Sequence, residues 1–451
     1  MDTTKKLIES DKRHLVHAIY PVGENPSRVF QEGNGVHLRD TDGKEYMDLC
    51  SQLDCVNLGY SQEELVAAAT EQMQKLPYST TFFGLSHRAS VECALKLAQL
   101  TPEGLDHFFF TSGGSESIET AFKLARIYWN RQGLGKYKII SLYNSYHGVS
   151  IGAAGASGIG KGHMLRGISP SIPGFVHIPP FYCYRCMFGK VYPSCNIHCA
   201  RFLAEIIEQE GPGTVAAFIA EPVIGTGGMI VPPPEYWPLV REICSKYDVL
   251  LIADEIKTGF CRTGTMFALE HWGIQPDVMV MAKGITSSYF PVGAVAFSDR
   301  IYGGIQGEKF SGFTYDGHPV GLAVAVKAME IYERDRISEH TARLGQHLLD
   351  RLTKEFMPLP CIGEISGLGL MAALEIVADK TTKRLFDPAL KVVDGLQARA
   401  FENGLYIRTT RAAYQMSDRL MLAPPLTISI EELDRALDIL KPIIAGVTSK
   451  P

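Results

Sequence analysis

Four polar groups follow apolar segments of this sequence, at positions where buried strands are expected to end. Lys283 closes the run DVMVMAK, and Asp254 follows the run VLLIA. Burying either charge is costly unless a partner or a ligand lies beside it. The Gly-Gly-Ser turn at 113–115 precedes a helical pattern and offers backbone amides and a hydroxyl to a phosphate. Tyr146 follows a further apolar run and could stack on a flat ring.

Together, the four groups match the parts of one cofactor. Pyridoxal phosphate has a phosphate, an aromatic ring, a ring nitrogen that works best protonated, and an aldehyde that condenses with lysine. Taken singly, each group has a plainer explanation: a strand-to-helix turn, aromatic packing, a salt bridge or helix cap, and a lysine that extends to water. The combination predicts a pyridoxal phosphate site in which Lys283 stores the cofactor as a Schiff base.

The segments around these groups predict a mainly parallel α/β sheet. Apolar runs recur at 107–111, 138–143, 215–221, 248–255, 277–283 and 292–298. Helical spacing of apolar residues lies between most of them, and sheets of this kind bind ligands at the carboxyl ends of their strands. Asp254 and Lys283 are therefore expected to project from the same edge.

The chain has 451 residues, which is too long for one compact core. We expect an N-terminal segment over residues 1–60, a large domain over 61–325 and a small α+β domain over 326–451. The N-terminal segment is expected to join the small domain and to contain a hairpin at 36–50.

Bulk composition argues against several classes of protein. Apolar residues make up 46% of the chain and the formal charge is −5, which disfavours disorder and nucleic-acid binding. The N-terminus is polar and no apolar run reaches the ~18 residues of a membrane span. We therefore expect a soluble cytoplasmic protein.

From about residue 15 to 445 the sequence resembles the class III (ω-amino acid:pyruvate type) pyridoxal-phosphate-dependent aminotransferase family. The motifs that carry the resemblance are FFFTSGGSESIETAFKLAR, YHG, AEPVIGTGG, IADEIKTGFCRTG, MAKGI, GFTYDGHPV and LAPPLTIS, in this order. The resemblance implies the α/β fold of the fold-type I transferases, with a mainly parallel seven-stranded sheet and a small α+β domain. It also implies a homodimer, or a tetramer, with active sites at the subunit interface.

Roles in cofactor binding are implied position by position. Lys283 corresponds to the Schiff-base lysine that also moves a proton, and Asp254 to the aspartate that keeps the ring nitrogen protonated. The other implied cofactor positions are Gly114 and Ser115 at the phosphate, Tyr146 and Ile256 on the two ring faces, Glu221 near the ring in a supporting or chemical role, and Thr314 at the phosphate of the neighbouring subunit.

Substrate positions depart from the family pattern. Thr226 stands where ornithine and 4-aminobutyrate enzymes commonly have a gating glutamate. Asp54 replaces a usual tryptophan, and it either favours a second cation or hydroxyl on the substrate or caps a local turn. Arg408 corresponds to the mobile arginine that binds the substrate carboxylate. The long segment after Arg408 makes Arg411 an alternative, and an arginine here also suits a sulfonate or phosphonate.

A cysteine cluster gives the sequence a second possible site. Cys183, Cys186, Cys195 and Cys199 have a spacing that suits zinc bound by four thiolates, with His198 adjacent. Free thiols or a facultative disulfide in an entrance loop are the alternatives. The resemblance implies no metal, and we expect none in the catalytic site.

The sequence thus predicts an enzyme that moves an amino group from a primary amine, ω-amino acid, aminosulfonate or diamine to pyruvate or another 2-oxo acid. The same scaffold permits an ammonia- or phospho-lyase acting on an aminoalkyl phosphonate or phosphate, or an epimerase or aminomutase. A non-catalytic binding protein is disfavoured, because such a protein would have little use for both Lys283 and Asp254.

Overall fold

The computed structural model describes residues 2–26, 28–159, 172–411 and 416–447. The strands are β1 Phe30–Asn34, β2 His37–Asp40, β3 Glu45–Asp48, β4 His107–Thr111, β5 Lys138–Leu142, β6 Phe175–Ile178, β7 Val215–Ala220, β8 Leu250–Asp254, β9 Val278–Met281, β10 Gly293–Phe297, β11 Ile362–Gly367, β12 Ala372–Ile376, β13 Leu405–Tyr406, β14 Arg408–Thr409 and β15 Arg419–Leu422. The α-helices are α1 Asp2–His14, α2 Ser51–Asp54, α3 Glu63–Lys75, α4 Arg88–Leu100, α5 Gly114–Arg131, α6 Ile151–Ala156, α7 His198–Glu210, α8 Tyr236–Lys246, α9 Asp299–Gly304, α10 Pro319–Arg334, α11 Ile337–Arg351, α12 Val392–Glu402 and α13 Ile430–Ala445. Within these described ranges, no helix has the length and apolar character that a membrane crossing requires.

The largest sheet has seven strands in the order β4-β10-β9-β8-β7-β5-β6. Strands β6, β5, β7, β8 and β9 run parallel, whereas β10 is antiparallel to both of its neighbours. Every residue of β7 and β8 is buried, since helices cover both faces of the sheet. The predicted seven-stranded, mainly parallel sheet is confirmed.

Two four-stranded sheets, β1-β2-β3-β13 and β11-β12-β15-β14, complete the structure. The predicted hairpin is present as β2 and β3, and β13 pairs with β3 in parallel. The N-terminal and C-terminal segments therefore share one sheet. The domain limits at residues 60 and 325 stay a prediction.

A buried guanidinium joins distant parts of the chain. Arg262 donates hydrogen bonds to the carbonyl oxygens of Leu370 and Pro424, at 3.0 and 2.6 Å. It also donates to Ser51 Oγ at 3.1 Å and to Asn57 Oδ1 at 3.0 Å. A charge removed from water needs such a set of acceptors. The contacts hold the turn between Ser51 and Asn57 against the loop that follows β8.

Helix α11 packs directly on the backbone of Gly369. A Cβ atom at Gly345 would lie 2.4 Å from the carbonyl carbon of Gly369. We expect Gly345→Ala to lower the melting temperature, because overpacking of this kind costs about 1–3 kcal/mol. Calorimetric melting of the purified variant and the parent protein measures the effect.

Gly395→Ala is the matched control for this substitution. Gly395 is exposed on α12, and a Cβ there would meet no described atom within 4 Å. The control should keep or slightly raise the melting temperature, since alanine favours a helix over glycine by about 0.5–1 kcal/mol. Equal melting of both variants would contradict the close packing at Gly369.

Candidate active site

A cavity of about 360 Å³ lies at the carboxyl ends of the central strands. Asp254 ends β8 and is in register with Val280 of the parallel strand β9, so that Asp254 and Lys283 reach the same edge. The residues predicted to bind cofactor that line this cavity are Gly114, Ser115, Tyr146, Glu221, Asp254, Ile256 and Lys283. The structure thus brings together all of the predicted cofactor positions except Thr314.

The backbone turns sharply at Lys283. This residue begins the 3-10 turn Lys283–Thr286 with a φ of 49°, in the left-handed region. Residues other than glycine rarely adopt this region, and holding one there costs of the order of 1–3 kcal/mol. The turn takes Lys283 out of the buried strand and into the cavity wall.

A buried histidine orients Asp254. Asp254 is 3% exposed, and its Oδ2 lies 2.7 Å from Nδ1 of His147. Its Oδ1 accepts a hydrogen bond from the backbone N–H of Ile256 at 3.1 Å. These contacts fix the carboxylate beside the cavity, where it can stabilise a protonated ring nitrogen. The sequence motif YHG contained His147, but only the fold reveals its contact with Asp254.

The neighbouring carboxylate, Glu255, faces a different part of the structure. Its Oε1 accepts the backbone N–H of Leu269 at 2.9 Å, and its Oε2 accepts the hydroxyl of Thr258. Burial raises the pKa of Glu255 to about 7. The two consecutive acidic residues at the end of β8 therefore face different surroundings. Asp254 lies at the cavity, and Glu255 is buried in the surrounding structure.

The first turn of α5 forms the opposite wall of the cavity. N–H groups in a first helical turn lack intrahelical acceptors, and a helix N-terminus attracts anions. Gly114 lies close to Ile256, since a Cβ at Gly114 would be 3.0 Å from Ile256 Cδ1. Ser115 Oγ accepts the backbone N–H of Val149 at 3.1 Å, so its own proton can point towards an anion. This wall fits a phosphate.

Glu221 connects two segments of the cavity wall. Its Oε1 accepts the backbone N–H of Tyr146 at 2.9 Å, and its Oε2 accepts that of Gly225 at 2.8 Å. Burial raises the pKa of Glu221. Both oxygens are thus engaged by the backbone, which favours the supporting role over a chemical one.

A cluster of three charges lies beside the cavity. Asp54 is 3% exposed, and its Oδ2 lies 2.9 Å from Lys257 Nζ and accepts Arg408 Nη1 at 3.0 Å. Burial alone would raise the pKa of Asp54, but the nearby cations Lys257, Arg408 and Lys283 together lower it to about 2. Asp54 is therefore paired with two cations of the protein itself. The sequence predicted either a contact with a cation or hydroxyl of the substrate or a cap of a local turn, and neither interpretation included this pairing. Of the three side chains, Lys257 lines the cavity.

Besides Asp54 and Arg408, two further predicted site residues do not line this cavity. Arg411 Nε donates to Asp394 Oδ1 at 2.7 Å, so its guanidinium is engaged with α12. Thr314 is exposed on its own chain, and its carbonyl oxygen accepts the hydroxyl of Tyr78 at 2.7 Å.

The four clustered cysteines line a separate small cavity of about 20 Å³. Burial raises the pKa of Cys183 to about 11 and that of Cys199 to about 12, which keeps these thiols protonated at neutral pH. In the described part of the chain, no group of three or more His, Cys, Asp or Glu side chains is placed to hold a metal ion. All ten cysteines are present as free thiols.

Comparison with known proteins agrees with this geometry. A putrescine–pyruvate aminotransferase from Pseudomonas aeruginosa is 38% identical over 423 residues, covering 93% of this chain and 90% of that protein. A diaminobutyrate–2-oxoglutarate transaminase from Halomonas elongata is 37% identical over 449 residues, covering 96% and 94%. The crystal structure of an (S)-enantioselective ω-transaminase from Thermomicrobium roseum has a TM-score of 0.91 and 40% identity, and the match covers 98% of both chains.

The family profile described as aminotransferase class-III matches residues 19–444. This match covers nearly the whole chain and confirms the predicted enzyme class. The chain belongs to the class III aminotransferase family.

Proposed function

We propose that this chain binds pyridoxal 5′-phosphate and moves an amino group from a primary amine or ω-amino acid to pyruvate or another 2-oxo acid. The observation that carries the proposal is the shared cavity of Lys283, Asp254 and the first turn of α5. An amine, a carboxylate and an anion-binding helix end complement the aldehyde, ring nitrogen and phosphate of this cofactor.

Each side chain then has a defined task. When bound, the cofactor supplies an electron sink for charge that develops on the substrate carbon. Lys283 holds the cofactor and carries a proton to and from that carbon. Asp254, oriented by His147, keeps the ring nitrogen protonated. Tyr146 and Ile256 form the walls on either side of the ring.

We assign substrate recognition to the charge cluster of Asp54, Lys257 and Arg408 beside the cavity. The pairing of Arg408 with Asp54 supports Arg408, rather than Arg411, as the arginine that meets a carboxylate or sulfonate. The two relatives described above act, by their names, on a diamine and on a diamino acid, with pyruvate or 2-oxoglutarate as partner. None of these findings favours the lyase, epimerase or aminomutase alternatives.

We further propose a cytoplasmic homodimer, or a tetramer built from it, with active sites at the subunit interface. In this arrangement the exposed Thr314 reaches the phosphate of the neighbouring subunit. Phe83, which is 95% exposed, gives the chain an apolar side chain that such an interface would bury. Free thiols at all ten cysteines suit a reducing compartment.

Lys283→Ala should abolish both the yellow colour of the purified protein and its turnover. The loss in rate should be at least about a thousandfold, because a positioned acid–base group contributes about 10²–10⁴ and the covalent anchor is lost as well. Lys283→Arg retains the positive charge without a primary amine, and it should be equally inactive. Absorbance spectra and a pyruvate-linked assay measure both effects; normal turnover by Lys283→Ala would contradict the mechanism.

A primary amine added without an acceptor should bleach the yellow colour of the wild-type enzyme. This is expected because the cofactor, when bound, would supply the group that accepts the amine, and no 2-oxo acid is present to take the amino group onward. Addition of pyruvate should restore the colour. Release of ammonia or phosphate while the colour persists would instead support a lyase.

His147→Phe should weaken cofactor binding and lower kcat. The substitution leaves the buried Asp254 without its 2.7 Å partner, and a hydrogen bond to a charged group is worth about 1.5–3 kcal/mol. His147→Asn is the matched variant, because its amide nitrogen lies near the position of Nδ1 and should restore most of the activity. Cofactor titration and steady-state kinetics compare the two, and equal losses would show that His147 acts only by filling space.

A further inference from the structure

Lys257 forms part of the cavity wall, although the sequence motifs gave it no role. It is 5% exposed and stands three residues after Asp254. Its Nζ lies 2.9 Å from Asp54 Oδ2, and no other carboxylate of the described residues lies within ion-pair distance of it. An ammonium group has three protons to donate, so Lys257 has donor capacity left for a ligand in the cavity.

The charges around Lys257 are not balanced. Asp54 Oδ2 lies within 3.0 Å of both Lys257 Nζ and Arg408 Nη1, so two cations share one carboxylate. The nearby carboxylate of Asp48 accepts the hydroxyl of Tyr60 at 2.6 Å together with two backbone N–H groups. Among the described residues, no second carboxylate lies within ion-pair distance of Lys257 Nζ or of the Arg408 guanidinium. A buried excess charge of this sign favours an anionic ligand.

The stem of Lys257 passes close to Gly225 of the turn GTGG. A Cβ at Gly225 would lie 2.2 Å from Lys257 Cδ, so the glycine leaves the space through which the lysine reaches the cavity. Burial lowers the pKa of Lys257 to about 8, although Asp54 acts to raise it, and the amine stays mostly protonated at neutral pH. The charge is therefore present at a fixed position in the cavity that also contains Lys283.

We propose that Lys257, which lines the cavity, binds the carboxylate of the substrate alongside Arg408, from either an ω-amino acid donor or a 2-oxo acid acceptor, and so selects anionic substrates over diamines. The inference rests on the proposed aminotransferase function and adds a specificity-determining residue to it. Asp54 already lies between two cations, so the second ammonium of a diamine would add a third positive charge at the same place.

Lys257→Met tests this role, because methionine keeps an unbranched stem and removes the charge. 4-Aminobutyrate, butylamine and 1,4-diaminobutane have the same number of carbons and differ at the end remote from the reacting amine. In the holoenzyme, we expect kcat/KM for 4-aminobutyrate to fall about ten- to hundredfold, that for butylamine to change less than about threefold, and that for 1,4-diaminobutane to stay constant or rise.

Two further measurements identify the source of the carboxylate. Butyrate has no amine, and its inhibition constant should rise in Lys257→Met by a factor similar to that seen with 4-aminobutyrate. Pyruvate can be reacted separately with the pyridoxamine phosphate form of the enzyme. A loss confined to pyruvate supports binding of the acceptor, a loss confined to 4-aminobutyrate supports binding of the donor, and Lys257→Arg should restore part of either loss.

Lys136→Met is the matched control. Lys136 is 7% exposed, and its Nζ donates to the carbonyl oxygens of Tyr247 and Asp248, away from the cavity. Lys136→Met should leave the kcat/KM values and the butyrate inhibition constant unchanged. Equal losses with all three amines, or butyrate inhibition and the pyruvate reaction both unchanged, would overturn the role of Lys257 while wild-type turnover leaves the aminotransferase proposal intact. A wild-type enzyme that transfers no amino group would overturn that proposal, and calorimetric titration with butyrate would still decide the role of Lys257.

Discussion

The hydrogen bonds of the buried Arg262 guanidinium hold three distant segments of the chain at one point. One segment carries Asp54, another follows β8 and carries Lys257, and the third contributes carbonyl oxygens from the C-terminal part. Because all of these acceptors are needed to compensate a charge without water, the segments are constrained to meet. The charge cluster beside the cavity therefore depends on a side chain that does not line the cavity itself.

The need to compensate buried charges also shapes the rest of the site. Two buried carboxylates of the cavity have partners that fix their direction: Asp254 is held by His147, and Glu221 by backbone N–H groups. Parallel strands then bring these fixed groups to one edge, where the N-terminus of α5 adds a region that attracts anions. A buried carboxylate and an anion-attracting helix end at one edge are the features that the proposed cofactor, with its basic ring nitrogen and phosphate, requires.

Much of this arrangement could be predicted from sequence, because apolar runs and strand-end residues are local signals. All six predicted apolar runs are strands of the large sheet. Strand β6 gave no such signal, since it is a short edge strand that contains a histidine and is only half-buried. The short strands β13 and β14 are neighbours in sequence but belong to different sheets, because their pairing depends on partners distant in sequence.

The site shows the same division between local and distant signals. Asp254 and Lys283 were recognisable because a charge at the end of an apolar run is unusual. The pairing of Asp54 with Lys257 and Arg408 joins residues far apart in the chain, and nothing in their neighbouring sequence indicates it. His147 was likewise visible only as part of a motif until the fold placed it against Asp254.

The close approach of Gly225 and Lys257 also links two positions in evolution. Any side chain at position 225 would occupy the space of the lysine stem, whose Cδ would lie 2.2 Å from the new Cβ. A larger residue at 225 would therefore be accommodated most readily together with a shorter one at 257. Substitutions at positions 225 and 257 are therefore expected to occur together. A change at both positions would mark the loss of the positive charge from the cavity.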